Sequence, residues 1–172
     1  MTAHDFDTTV FNTTRGAGIS ECGLYRYWLT RAWVRAGEIP KLLTFCMLNP
    51  STANADVDDP TIRRCMGYAR REGCNSLRVV NLYAYRSTAP KAVWEQPDPV
   101  GPDNEEALTL ALTLPGAVIC AWGKHARPLE VDRFRHLVAH LDRPVVCLGT
   151  NLDGSPKHPL YLRADSPLIP WK

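Results

Sequence analysis

No apolar run in this 172-residue chain approaches the roughly 18 residues of a membrane span. The opening MTAHDFDTTV has no signal-peptide pattern, so a cytoplasmic protein is expected. The phosphate-cradling turn G-x-x-x-x-G-K-[ST] is missing, and so are the G-x-G-x-x-G dinucleotide fingerprint and the G-x-S-x-G nucleophile elbow. Those absences argue against the nucleotide-hydrolysing, nicotinamide-dependent and serine-hydrolase classes that carry them. The net charge of +2 is too small to imply nucleic acid by itself. None of the six cysteines forms a C-x-x-C pair; Cys46, Cys120 and Cys147 sit in apolar runs and read as buried free thiols of a reducing compartment. His136 and His140 have i,i+4 spacing but fall on the polar face of a predicted helix. Neither a metal nor a cofactor is expected.

An apolar fraction of 45% with 22% charged residues is ordinary for a single globular domain. Four short runs, LLTFCML (42–48), LRVVNLYA (77–84), AVICAW (117–122) and PVVCLG (144–149), show little polar alternation, the pattern of strands covered on both faces. Three helical segments separate them. The first, DDPTIRRCMGYARREG, has Asp59 as N-cap, Pro60 at its first position and Gly73 as its stop. Ile62, Cys65, Met66 and Ala69 form its apolar stripe. The second is GPDNEEALTLALTLPG. The third spans about 128–141, with Val131, Phe134, Leu137, Val138 and Leu141 on one face. Strand and helix in alternation predict parallel strands joined by crossovers. YRYWLTRAW (25–33) is expected to be an antiparallel edge strand hairpinned to 42–48, and the tail DSPLIPWK to cover an edge. The resulting organisation is a poorly structured stretch at 1–20 followed by one α/β domain over 21–172.

Ligands of open parallel sheets bind beyond the carboxyl ends of the strands. The residues there are Asn49, Pro50, Ser51 and Thr52 after the first run, then Asn81, Tyr83, Tyr85 and Arg86. The third run ends in Trp122 and gives way to Gly123, Lys124 and His125, and the fourth leads into the loop LDGSPKHPLYL. Carboxamides, hydroxyls, aromatic rings and one histidine suit a planar, hydrogen-bonding ligand such as a nucleobase. Each also has a plainer reading: Asn49 as a turn residue before Pro50, His158 as a loop histidine, Tyr83 and Trp122 as core, Asp58 and Asp59 as a helix start. Asn81 is different, because a carboxamide inside an apolar strand must find partners. The arginines at 63, 64, 70 and 71 cluster on the first helix, either as a solvated face or, with Lys157, as phosphate contacts.

The motifs YRYWLTR, MLNPSTA, DDPTIRR, VVNLYAYRST, DPVGPDN, AWG and GSPKHPLYL closely resemble those of the bacterial and phage family named domain of unknown function 1643. More distantly, their order is similar to that of the uracil-DNA glycosylase superfamily. There a G-x-N-P-G or G-Q-D-P-Y motif follows the first core strand, an asparagine on a middle strand reads the base, and H-P-S follows the last strand. That resemblance implies a three-layer α/β/α sandwich with a central, mostly parallel sheet of four to five strands. It also implies that Asn49 orients the attacking water, Asn81 reads the base and His158 stabilises the leaving base. This chain departs from the pattern: CMLNPS lacks the glycine, Asn49 stands where an aspartate could act, and no serine follows His158-Pro159. The expected function is a glycosylase-like enzyme acting on an ordinary or modified base in DNA or in a nucleotide, as in DNA modification or repair. Ser51, Tyr83, Tyr85 and Trp122 would join Asn81 around the base. The alternatives are a nucleotide- or nucleic-acid-binding module without chemistry and a base-modifying transferase on the same fold. A nucleobase, nucleotide or DNA is the expected partner.

Overall fold

The computed structural model describes residues 14–171. In chain order the elements are β1 (Arg15–Ile19), β2 (Arg26–Ala32), β3 (Leu42–Met47), α1 (Pro60–Arg71), β4 (Ser76–Asn81), the short α2 (Pro90–Val93), α3 (Asn104–Thr113), β5 (Val118–Cys120), α4 (Pro128–Val138), β6 (Val145–Cys147) and β7 (Ile169–Pro170). Single 3₁₀ turns lie at Gly123–His125 and Pro159–Tyr161. No described helix is long and apolar enough to cross a membrane.

Among the described residues the sheet has seven strands in the order β1-β2-β4-β3-β5-β6-β7. The four runs expected to be parallel are parallel: β4 with β3, β3 with β5, and β5 with β6. The sheet as a whole is wider than expected and mixed rather than mostly parallel, because β1–β2, β2–β4 and β6–β7 pair antiparallel. The chain at 25–33 does not hairpin onto 42–48; β2 lies between β1 and β4. Every residue from Arg26 to Arg31 is buried, as an interior strand requires, and its two arginines give the sequence a false look of exposure. The stretch 1–20 includes the edge strand β1; residues 1–13 lie outside the described residues. Gly18 is required in β1, since a Cβ there would stand 2.3 Å from Trp28 Nε1. The tail covers an edge as expected, with β7 paired to β6.

Alternate residues of β3 divide between two apolar clusters. Leu43, Phe45 and Met47 join Leu77 and Val79 of β4 beneath Ile62, Cys65, Tyr68 and Ala69 of α1. Cys46 and Leu48 join Val80 and Leu82 beneath Ala107, Leu108 and Ala111 of α3 and Phe134 and Val138 of α4. Full burial of each large aliphatic or aromatic side chain is worth about 1.5–3 kcal/mol, so these faces hold the helices in place. The six cysteines are free, with Cys46, Cys65, Cys120 and Cys147 buried.

α1 begins as its sequence specifies. The Asp59 side chain accepts from the Ile62 N–H at 2.8 Å, Pro60 occupies the first position, and Gly73 adopts φ +70 just beyond the end. Asp59→Ala is expected to lower stability by about 1 kcal/mol, read as a shifted urea midpoint with an unchanged m-value. A change within error would mean that another group caps the helix.

The strand order places β4 and β5 on opposite sides of β3. From β3 the chain leaves through α1 toward one apolar cluster, and from β5 it leaves through α4 toward the other. Open α/β sheets bind ligands in a crevice at the carboxyl ends of the strands where such a reversal occurs. Here that position lies between the loop that starts at Asn49 and the turn at Gly123–His125.

Candidate functional site

Asn49 is half-buried at the end of β3. Its Nδ2 donates to the Ser87 carbonyl at 2.8 Å and to the Pro50 carbonyl at 3.0 Å. These acceptors set the amide's orientation and leave Oδ1 with no donor among the described residues. Asn49 therefore braces the neighbouring 85–87 segment and keeps one acceptor available.

Asn81, the last residue of β4, is 1% exposed, so only a group inserted into the crevice reaches it. Its Oδ1 accepts from Arg26 Nη2 at 3.3 Å, which leaves Nδ2 as the group available to a ligand. Arg26 is itself 2% exposed and donates from Nη1 to the Ala53 carbonyl at 3.0 Å. Its guanidinium makes no ion pair among the described residues. Burial pushes it down to about 10, while the field of Asp59 opposes that shift and Arg86 adds to it. A buried cation held by neutral oxygens projects a positive potential into the crevice, where little water screens it.

His158 reaches the same rim from the last loop. The loop folds back through hydrogen bonds from the Gly123 N–H to the Pro156 carbonyl at 2.9 Å and from the Lys157 N–H to the Gly149 carbonyl at 2.9 Å. A Cβ on Gly123 would lie 3.9 Å from the His158 Cβ. The imidazole Nδ1 accepts from the Leu160 N–H at 3.3 Å, so in the neutral ring the proton sits on Nε2. Desolvation lowers the pKa of His158 below its usual 6.5, against the opposing field of Asp59. An NMR titration should find a neutral Nε2–H tautomer at pH 7 and a midpoint below 6.5. Because the unfolded chain takes up this proton first, the stability His158 contributes is complete above that value and is lost as the pH falls through the folded midpoint. A midpoint above 6.5 would show that desolvation does not dominate at this half-buried ring.

The other expected site residues separate. Ser51 and Tyr85 are half-buried on the rim, and Tyr85 meets Tyr25 edge-on at 6.2 Å. Tyr83 does not line the crevice. Its hydroxyl donates to Glu130 at 3.0 Å and accepts from the Arg127 N–H at 3.0 Å, pinning the start of α4. Trp122 is 2% exposed and packs between Phe134 and Trp171 at 5.5 and 5.1 Å. Both are core, because the rings sit on the face that α4 covers.

The arginine cluster is likewise divided. A crossover helix runs back along its strands, so Arg70 and Arg71 lie about 16 Å from the rim end of α1. Arg70 stacks on Trp33 at 4.5 Å. Arg71 pairs with Glu72 and donates to the Ala164 and Ser166 carbonyls, while Arg64 donates to the Leu162 carbonyl. Arg64 and Arg71 thus clasp the segment that follows His158 rather than standing ready for phosphates. Arg63, in the first turn of α1, donates to the Asp58 carbonyl at 2.5 Å, and Lys157 immediately precedes His158 in the last loop.

The loop at 49–59 owes most of its polarity to folding. Asn54 Oδ1 accepts from the Asp56 and Val57 N–H groups, both at 2.9 Å. Asp58 pairs with the buried Arg31 at 2.7 Å and with Arg15 at 3.0 Å. Asp59 caps α1. Among the described residues no three His, Cys, Asp or Glu side chains cluster as metal ligands.

A family model described as "Protein of unknown function (DUF1643)" matches residues 26–160. The chain belongs to the DUF1643 family. The matched span runs from β2 to the 3₁₀ turn after His158 and so contains Arg26, Asn49, Asn81 and His158. No curated protein and no solved structure matches the chain. Within this DUF1643 domain the residue that sequence reading overlooked is Arg26, while Arg86 was placed on the rim without a role. Arg86 donates to the Gly23 carbonyl at 3.1 Å, and its charge is felt at Arg26. The available signal was the pair of arginines flanking the apolar centre of YRYWLTR, charges that must be buried if that run is an interior strand.

Proposed function

We propose that the crevice binds a nucleobase and supports hydrolysis of its N-glycosidic bond. The reading is supported by the ends of β3 and β4 lying side by side, with Met47 in register with Asn81, and by the field of Asp59 acting on both Arg26 and His158. Asn49 retains a free acceptor, Asn81 retains a donor because Arg26 occupies its carbonyl, and His158 is a neutral Nε2–H donor. Two donors facing a ligand suit the oxo groups of a base. In the reaction a water held by Asn49 Oδ1 adds its oxygen to the sugar carbon. The carbon–nitrogen bond breaks with its electron pair passing to the base, and the water's proton leaves to solvent. His158 Nε2–H and the polarised Asn81 amide would stabilise the negative charge that develops on the base, the kind of preorganised donation worth most where water is excluded. A carboxamide is not a strong base, so the reading favours a good leaving group, such as an altered base. A three-layer arrangement akin to that of the uracil-DNA glycosylases belongs to the same proposal and is supported by the helices on the two apolar clusters.

A second reading, nucleotide binding without chemistry, is favoured by the engagement of Asp58 and Asp59 in an ion pair and a helix cap, which leaves neither of these carboxylates free to activate water. Incubation with oligonucleotides carrying altered bases, and with the matching nucleotides, separates the two. Release of free base with formation of an abasic sugar supports hydrolysis; saturable binding without release supports the second reading. If neither base, nucleotide nor oligonucleotide binds, both are wrong.

A further inference from the structure

Arg26, the first residue of β2, links the loop after β3 to the end of β4. Its main-chain N–H donates to the Ala84 carbonyl at 2.9 Å. Its side chain donates from Nη1 to the Ala53 carbonyl at 3.0 Å and from Nη2 to Asn81 Oδ1 at 3.3 Å. The guanidinium is therefore anchored at both ends and is not a swinging arm. Asn81 is held as firmly by its main chain. It stands in register with Met47 of β3, and its carbonyl accepts from Asn104 Nδ2 at 3.1 Å. The freedom left to Asn81 is the direction of its side-chain amide, and Arg26 removes it. Turning that amide over would set two donors, one of them cationic, against each other at 3.3 Å.

Arg26 Nε is sealed from solvent, whereas Asn81 Nδ2, which donates to no described residue, is not among the sealed unpartnered atoms. The small accessible part of Asn81 thus includes its donor, and Arg26 acts on a ligand only through that group. We propose that Arg26 is a positioning residue that sets the base preference of the crevice. By occupying Asn81 Oδ1 it presents Nδ2 alone, so the crevice selects a base that turns an oxo group toward Asn81. A base with an amino group there meets donor with donor and leaves both unpaired. This inference rests on the reading of the crevice as a base site. A role confined to bracing the 49–59 loop through Ala53 would weaken all bases alike and leave their ratio unchanged.

The test measures that ratio by calorimetric titration with two pairs of nucleotides, deoxyinosine against deoxyadenosine monophosphate and deoxyuridine against deoxycytidine monophosphate. In each pair an oxo group is exchanged for an amino group at one ring position. The unaltered protein is expected to bind the oxo member of at least one pair about tenfold or more tightly than its amino counterpart. Arg26→Met frees the amide to turn, and the ratio should fall to within about twofold of unity. If Arg26→Met fails to fold, Asn81→Asp decides: its carboxylate pairs with Arg26 and offers the ligand an acceptor, so the preference should reverse toward the amino member. Saturable binding with equal affinities in both pairs overturns the proposal and leaves the crevice reading standing. An undiminished preference in Arg26→Met, or an unreversed one in Asn81→Asp, also overturns it. Absence of binding by all four nucleotides overturns it too, and the crevice reading is then decided by the oligonucleotides.

Discussion

His158→Ala should lower base release by about 10²–10³-fold while changing affinity for the base only a few-fold. The expectation rests on the proposed role of the ring as a neutral donor that strengthens as charge develops on the leaving base. Loss of one such donor in a water-poor site typically raises the barrier by about 2.7–4 kcal/mol. The effect should therefore fall on kcat rather than KM. His158→Gln keeps a neutral donor and should recover part of the loss. The pH profile is a second check. Because burial lowers the pKa of His158 below 6.5, the ring is neutral at pH 7, and kcat should not decline between pH 7 and 8 as it would if an imidazolium were required. Acidification should reduce kcat once Nδ1 is protonated and its bond from Leu160 N–H is lost. Unchanged turnover in His158→Ala, or a loss confined to KM, would remove His158 from the chemistry and favour binding alone.

Asp58→Ala is expected to destabilise the fold by about 3–5 kcal/mol. Arg31 is 1% exposed at its side chain and meets Asp58 at 2.7 Å. Its other acceptors are the carbonyls of Thr30, at 2.7 Å, and Asn54, at 2.6 Å, with those of Gly16 and Val57 both at 3.4 Å. Removing the carboxylate leaves a guanidinium in the interior with neutral acceptors only, and the charge cannot be shed near neutral pH. Loss of the Arg15 contact adds less, because that pair is more exposed. For a chain of this size the change corresponds to a fall in Tm of roughly 6–20 °C. Asp58→Asn keeps an oxygen for Arg31 and should lose less. A loss under about 1 kcal/mol in Asp58→Ala would show that water or another acceptor reaches Arg31 and that the loop is not held by this pair. The same ion pair orients the chain between Asn49 and α1, so Asp58→Ala should also lower base affinity, and His158→Ala should not share that effect.

Much of the core was legible locally. LLTFCML and LRVVNLYA read as strands because nearly every residue must be buried, and DDPTIRR read as a helix start because an N-cap and a first-turn proline act within a few residues of one another. The rim was legible for a similar reason: once strands and helices alternate, the ends of strands are known, and with them the positions of Asn49, Asn81 and His158. The strand order was not. β2 lies beside β4 rather than β3, and nothing within YRYWLTR says which strand it will meet. The roles of the charged residues were hidden in the same way. Arg63, Arg64, Arg70 and Arg71 look alike in sequence, yet Arg64 and Arg71 hold carbonyls more than ninety residues away and Arg70 lies over Trp33. Asp58 and Asp59 are neighbours, but one neutralises a buried arginine and the other caps a helix. Composition and spacing thus determined the strand and helix segments and the end of the domain where a ligand site belongs. The tertiary structure decided which side chains remain available there. Many of the decisive partners are backbone carbonyls; every residue carries one, so only the folded chain selects which of them comes within 3 Å of a guanidinium or an amide.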